Sequence, residues 1–230
     1  MSAPSSSPSG SSFSPAAKRK RTKSVSTIVV YDGSKSFRMD KKVTGFTVAE
    51  GVTTIDSLCF FGCLKLVSLG VMSQGVRVIA MSAFFGCPLL TTLQGLPESV
   101  TTISTGAFHS TGLTSLDWLP STVTSIDYGA FGNCLSLTSI GPGFSPDCDV
   151  QPEAFCDCPA LLAAAQAKGF TTAIEWGKHH WIVVNRRFAV LSAVRQVRRD
   201  DDRVGSPLLK KIALLCDDLV REVVEFVGAC

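Results

Sequence analysis

Apolar residues in the middle of the chain recur on a long fixed beat. Ala-Phe pairs stand at Ala83-Phe84, Ala107-Phe108, Ala130-Phe131 and Ala154-Phe155, with Cys59-Phe60 as an earlier variant, at steps of 24, 24, 23 and 24 residues. Ile55, Ile79, Ile103, Ile126 and Val150 each lie four residues before the pair. Apolar pairs follow at Leu66 and Leu69, Leu90 and Leu93, Leu113 and Leu116, and Leu137 and Ile140; the third arrives one residue early, which accounts for the 23-residue step. A period of roughly 20 to 50 residues marks stacked units, none of which can bury its apolar face alone. The pattern therefore predicts a solenoid of five coils over residues 49–170, with Phe60, Phe84, Phe108, Phe131 and Phe155 as an internal spine.

Each coil carries two short strand signals. One is of the Val-Thr-Thr-Ile type (Val52–Ile55, Val100–Ile103, Val123–Ile126) and the other of the Leu-Thr-Ser-Leu type (Leu113–Leu116, Leu137–Ile140), with Gly70, Gly95, Pro97, Pro120 and Pro142 punctuating between them. Short β-branched strands stacked by period predict parallel ladders along the stack. An end coil must cover the apolar edge of the first repeat, so residues 25–48 read as an N-terminal cap. In it Thr27 to Tyr31 is a strand, Asp32-Gly33 a turn and Phe46-Thr47-Val48 a second strand.

Past residue 170 the period turns helical. Thr172 and Glu175 have capping-box spacing, and apolar or small residues recur at steps of three or four from Ile174 to Val194. This predicts one helix to about Arg199; after Asp200-Asp201-Asp202 and Gly205, a second helix carries Leu208, Ile212, Leu215, Leu219, Val223 and Phe226 on one face. Residues 171–230 read as an antiparallel helical hairpin closing the open end. The fold class is thus an α/β repeat, mostly short parallel β-strands per coil, closed by a C-terminal α-helical hairpin.

Composition changes this picture at the ends. The 230 residues are 45% hydrophobic and 18% charged, enough for a large core. Residues 1–24 carry five bases and no acids, residues 25–170 seven bases and eleven acids, and residues 171–230 ten bases and eight acids, which sum to the net +3. Residues 1–24 are rich in Ser, Pro and Gly with one aromatic, Phe13, and cannot offset the entropy of ordering; they read as a disordered basic tail. The run Lys18, Arg19, Lys20, Arg21 and Lys23 reads either as a solvating tail or as a nuclear-import signal. No secretory signal and no apolar window long enough to span a bilayer is visible, so a cytoplasmic or nuclear protein without a membrane partner is expected.

The unit Val-Thr-Ser-Ile-x-x-x-Ala-Phe-x-x-Cys-x-x-Leu-Thr-Ser-Ile, nearly complete at Val123 to Ile140, resembles the BspA-type leucine-rich repeat over about half the chain. That resemblance implies a curved leucine-rich-repeat solenoid that binds other macromolecules. Many members of the family are surface proteins with export signals, a pattern from which this chain departs.

Candidate chemistry adds little to this. Nine cysteines are an odd number, expected as thiols in a reducing compartment. Cys63, Cys87, Cys134 and Cys158, with Thr111 in the third place, lie three residues after the Phe and read as small buried fillers. Stacked side chains point in parallel and lack the disulfide dihedral. Cys156-Asp157-Cys158 is too close a pair for zinc, and His179-His180 between Trp176 and Trp181 lacks further ligands at suitable spacing; no metal or cofactor is expected. No Gly-x-Ser-x-Gly elbow, phosphate loop or His-Glu-x-x-His is present, and His109 takes a turn position.

The sequence thus points to a non-enzymatic, intracellular protein-protein interaction scaffold of unknown partner and oligomeric state. The outward positions of the Leu-Thr-Ser-Leu strands give the candidate face, with Gln94, Ser115, Asp117 and Trp118 as partner-binding residues. Two alternatives rest on the ends. The stretch from Cys216 to Val227 resembles the opening of an F-box and suggests an adaptor in ubiquitin-dependent turnover. Lys178, Arg186, Arg187, Arg195, Arg198 and Arg199, with the basic tail, suggest a nucleic-acid-associated nuclear protein.

Overall fold

A computed structural model describes residues 26–141 and 144–182 of the chain. Its elements in order are β1 (Thr27–Tyr31), β2 (Val43–Val48), β3 (Thr54–Ile55), β4 (Val78–Ile79), β5 (Thr102–Ile103), β6 (Ser125–Ile126), β7 (Asp149–Val150) and α1 (Pro159–Gln166). A second helix, α2, begins at residue 173 and is described to residue 182. The rest of the expected helical hairpin, including the F-box-like stretch and the arginines from 186 onward, lies outside the described residues, as does the basic run 18–23.

Strands β3 to β7 form one parallel ladder in chain order, and each Ile of the beat pairs with the next: Ile55 with Ile79, Ile79 with Ile103, Ile103 with Ile126. These isoleucines are wholly buried, whereas the residue before each is half-exposed, as period-2 alternation requires. The Leu-Thr-Ser-Leu segments differ from expectation. Their leucines are buried, but pairing reduces to single bridges, Thr47 with Val71 and Ser115 with Ser139. The glycine and proline turns that follow each segment give this second ladder no run of paired residues.

The core is one cluster built around the phenylalanine column. Phe60, Phe84, Phe108, Phe131 and Phe155 stack ring on ring with centroids 5.2 to 5.6 Å apart and planes within 9°. Phe37 continues the column below Phe60 at 5.4 Å, and Phe46 packs against Phe60 at 4.2 Å. Near-parallel rings at this spacing are offset stacks, the favoured arrangement for the ring quadrupole. The turns that carry the column make a ladder of their own: the N–H groups of Phe60, Phe84, Phe108 and Phe131 donate to the carbonyls of Ala83, Ala107, Ala130 and Ala154 in the following coil. On the strand side Ala80, Ser104, Asp127 and Gln151 donate backward, to Ile55, Ile79, Ile103 and Ile126.

The recurrent cysteines do more than fill space. Cys63, Cys87, Cys134 and Cys158 aim their thiols at the carbonyls of Phe37, Phe60, Phe108 and Phe131, one coil earlier, at 3.1 to 3.3 Å. The Phe37, Phe60 and Phe108 carbonyls also accept from the Asp40 N–H, the Cys63 N–H and the Thr111 hydroxyl, so the thiol adds a second, weak donor that an alkyl group of equal size could not. Thr111 takes the position in the third coil, donating to Phe108 of its own coil at 2.8 Å and lying 3.2 Å from the Cys134 sulfur.

Helix α1 falls within the stretch that the sequence assigns to coils. Pro159 at its first turn and the run Leu-Leu-Ala-Ala-Ala favour a helix there, and Leu161 and Ala165 seal the last coil. Helix α2 starts on the expected cap: Thr172 Oγ1 accepts the Glu175 N–H at 3.1 Å. The Glu175 carboxylate reaches back to the N–H and hydroxyl of Thr171.

Candidate partner-binding face

The outward side of the second ladder is largely self-satisfied. Thr114 donates its hydroxyl to the Thr91 carbonyl and Thr138 to that of Thr114, each at 3.4 Å, so these threonines tie coil to coil. Half-buried Ser115 donates to Asp117 Oδ2 at 2.8 Å, and Thr92 Oγ1 accepts the Gln94 N–H at 3.1 Å. Of the four candidates, Gln94, Asp117 and Trp118 are exposed; Ser115 serves to orient Asp117.

The third coil projects its acid and indole because its neighbours do not crowd it. Gly141 lies directly against the Asp117 backbone, where an added Cβ would come within 2.6 Å of Asp117 Cα, so close approach depends on glycine. Steps of 24, 24 and 23 residues carry Thr47 to Val71, Gly95 and Trp118. Val30 lies beside Thr47, and Thr47 bridges Val71; the same step carries the column on in sequence to Gly95 and Trp118. Val30, Val71 and Trp118 are 63%, 71% and 55% exposed, with the side-chain-free Gly95 between the last two. This apolar line, edged by the Asp117 carboxylate and the Gln94 amide, offers an aromatic anchor in a polar surround, the composition of an interaction hot spot.

A second surface column escaped the sequence reading. Arg38 lies 5.1 Å from the Phe61 ring centroid, Phe61 stacks on Phe85 at 5.1 Å, and Phe85 on His109 at 4.7 Å with planes 3° apart. These are the residues that follow each spine phenylalanine, so the same 24-residue beat could have revealed them. His109 is thereby a stacked ring and not an incidental turn residue; burial pushes its pKa down, against the opposing charge of Asp157. Its Nδ1 lies 2.9 Å from Ser110 Oγ, which also accepts from Asn133 Nδ2 at 2.8 Å. With its oxygen held by Asn133 and no carboxylate hydrogen-bonded to His109, this pair has no triad geometry.

A cleft of about 610 Å³ opens between the last coil and the helices, lined by Leu135, Phe155, Leu161, Leu162 and Ile174 with Asp157 at its side. Among the described residues no group of three metal-ligating side chains occurs, and Cys156 and Cys158 stand apart from any second pair. Trp176 is buried, the Lys168 ammonium lies 5.8 Å from its ring centroid, and exposed His179 tilts on Phe170 at 5.2 Å. No helix among the described residues is long and apolar enough to cross a membrane.

Comparison with known proteins agrees with the repeat. The profile of the BspA type leucine-rich repeat region matches residues 32–162 in six copies, one more than the five coils of the Ala-Phe beat. Among solved structures, a leucine-rich repeat protein from Bacteroides ovatus shares 20% identity over 58% of this chain and 39% of that one, with a TM-score of 0.41. A leucine-rich cell surface protein from Faecalibacterium prausnitzii shares 22% identity over 50% of this chain and 48% of that one, with a TM-score of 0.24. The chain spans less than half the length of either. No protein of curated function matches.

Proposed function

Since the chain belongs to the BspA-type leucine-rich repeat family, we propose that it is a non-enzymatic protein-interaction scaffold whose partner lies along the outward face of the second ladder. The observation that carries this reading is the column from Val30 to Trp118. Its exposed apolar side chains are Val30, Val71 and Trp118, set apart by Thr47 and Gly95 and lying beside hydroxyls already committed to the fold. A partner laid along it gains many small contacts with Trp118 as anchor, and Asp117 and Gln94 set its orientation. An intracellular place, cytoplasmic or nuclear, is supported by the seven described cysteines, all free thiols, six of them directed at carbonyls.

The test is affinity purification of the full-length chain from its own cell, beside a Trp118→Ala/Asp117→Ala variant of unchanged thermal stability. Specific partners lost from the variant support the face; an identical set of recovered proteins rejects it.

A further inference from the structure

The first strand has a neighbour on one side only. Strand β1 pairs with β2 in parallel register, Ile28 with Gly45 through Tyr31 with Val48, and among the described residues nothing pairs with its other edge. The direction of its backbone groups is fixed by two bonds: the Tyr31 carbonyl accepts from the Ala49 N–H, and the Thr27 carbonyl from the Thr44 hydroxyl. Residues of that parity therefore face β2. Ile28 and Val30 turn their N–H and C=O groups to the open edge and their side chains to the outer face, where they are 68% and 63% exposed.

We propose that this edge is a self-association surface, joining β1 of one copy to β1 of a second, antiparallel, about a twofold axis through Val29. The pattern is self-complementary. With Val29 opposite its own copy, Ile28 faces Val30 of the partner subunit and each such pair exchanges N–H and C=O bonds, so every open group of Ile28 and Val30 finds a partner. The same register sets Ile28 against the partner's Val30 on the outer face, a β-branched cross-strand contact that covers both exposed side chains. The strand is uncharged, has five residues and lacks proline, and so has none of the devices that keep an edge solitary, apart from an irregularity at Thr27/Ile28. The open edge is matched by its own copy residue for residue, which favours a second chain as occupant. An axis perpendicular to the sheet leaves both copies' outward faces on one side, so the dimer would present two Trp118 anchors on one continuous surface. The inference is independent of whether Trp118 binds a partner, but it takes Val30 out of the proposed partner face and leaves Val71 and Trp118 as its exposed apolar side chains.

The experiment is sedimentation equilibrium of the full-length chain over a hundredfold concentration range, with hydrogen exchange of β1 at each end of it. A concentration-dependent dimer is expected, with Ile28 and Val30 amides protected in the dimer and exposed in the monomer. Ile28→Lys/Val30→Lys should weaken it at least about tenfold. Val30→Pro, which deletes one edge N–H and no internal bond, should do the same while thermal stability holds. A chain monomeric throughout, a dimer indifferent to both variants, or β1 amides already protected in the monomer (the sign of another segment on the edge) would each overturn the proposal.

Discussion

The Tyr31 hydroxyl accepts the Asp56 N–H at 3.1 Å and donates to the Asp56 carboxylate at 2.8 Å. The phenol thus occupies the edge of β3, where a preceding coil would have offered a backbone carbonyl; by the 24-residue step Tyr31 stands in the place of Ile55. Replacing Tyr31 with Phe removes both bonds at constant shape. It should cost about 1 kcal/mol, the net contribution of a hydrogen bond at a partly buried edge. Chemical denaturation measures the loss, and faster exchange at Asp56 would locate it.

The same contact fixes a response to alkali. Burial, more than the Asp56 contacts, raises the Tyr31 pKa well above its ordinary value of 10.0. A group whose neutral form is favoured in the fold contributes its full stability below the unfolded pKa, and that contribution falls as pH rises above about 10. Stability should decline over that range in the natural chain and less steeply in Tyr31→Phe, as followed by denaturation midpoints between neutral pH and pH 11.

His109 predicts the opposite flank. Its pKa is lowered mainly by burial against Phe85 and the glycines around it, so the fold prefers the neutral ring. Protonation is easier in the unfolded chain, and stability should fall as pH drops through about 6.5, the ordinary histidine value. His109→Gln should flatten that part of the profile. Gly132→Ala should be destabilising at any pH, because its methyl would fall 2.6 Å from His109 Cδ2 and 2.8 Å from Cys156 Sγ.

The spine should show its ends. Phe108 is wholly buried between Phe84 and Phe131, whereas Phe155, in the last coil, is half-buried with Phe144 stacked on it at 6.1 Å. Phe108→Ala should cost about 3–5 kcal/mol, the range for emptying a packed aromatic site. Phe155→Ala should cost clearly less. Equal losses would contradict a column whose inner members carry most of the packing.

Thiol labelling separates the cysteines. Burial pushes Cys59, Cys63, Cys87 and Cys148 up to about 12, 11, 12 and 11, so they should stay inert in the native chain at neutral pH. In a Cys216→Ser/Cys230→Ser background, half-exposed Cys156 should label first, slowly, and faster as pH rises, because burial and Asp157 raise its pKa too. Prompt native labelling of Cys87 would show that its S–H···O contact does not hold in solution.

The sequence discloses what repetition controls. The isoleucine ladder, the phenylalanine stack and the start of α2 follow from spacing alone, because a period of 24 forces equivalent residues into register. What it hides depends on single events. Tyr31 closes an edge only because its hydroxyl stands in for a backbone carbonyl at Asp56, which spacing does not disclose. Ser115 looks as available as Trp118 until its bond to Asp117 is seen. The weak pairing of the second ladder reflects turns whose geometry the Leu-Thr-Ser-Leu motif does not announce, and the cysteine donors need the preceding coil's carbonyl to be located first.

Backbone bonds cross each junction between coils in both senses, backward from Ala80, Ser104, Asp127 and Gln151 and forward from Phe60, Phe84, Phe108 and Phe131. Any coil's upper surface therefore matches any other's lower one, and the third coil shows that even a residue fewer can be absorbed. A gene encoding such a chain can lengthen by duplicating one unit without reworking its neighbours. Selection is then free to act on the two terminal seals and on the few side chains, Trp118 foremost, that interrupt the repetition.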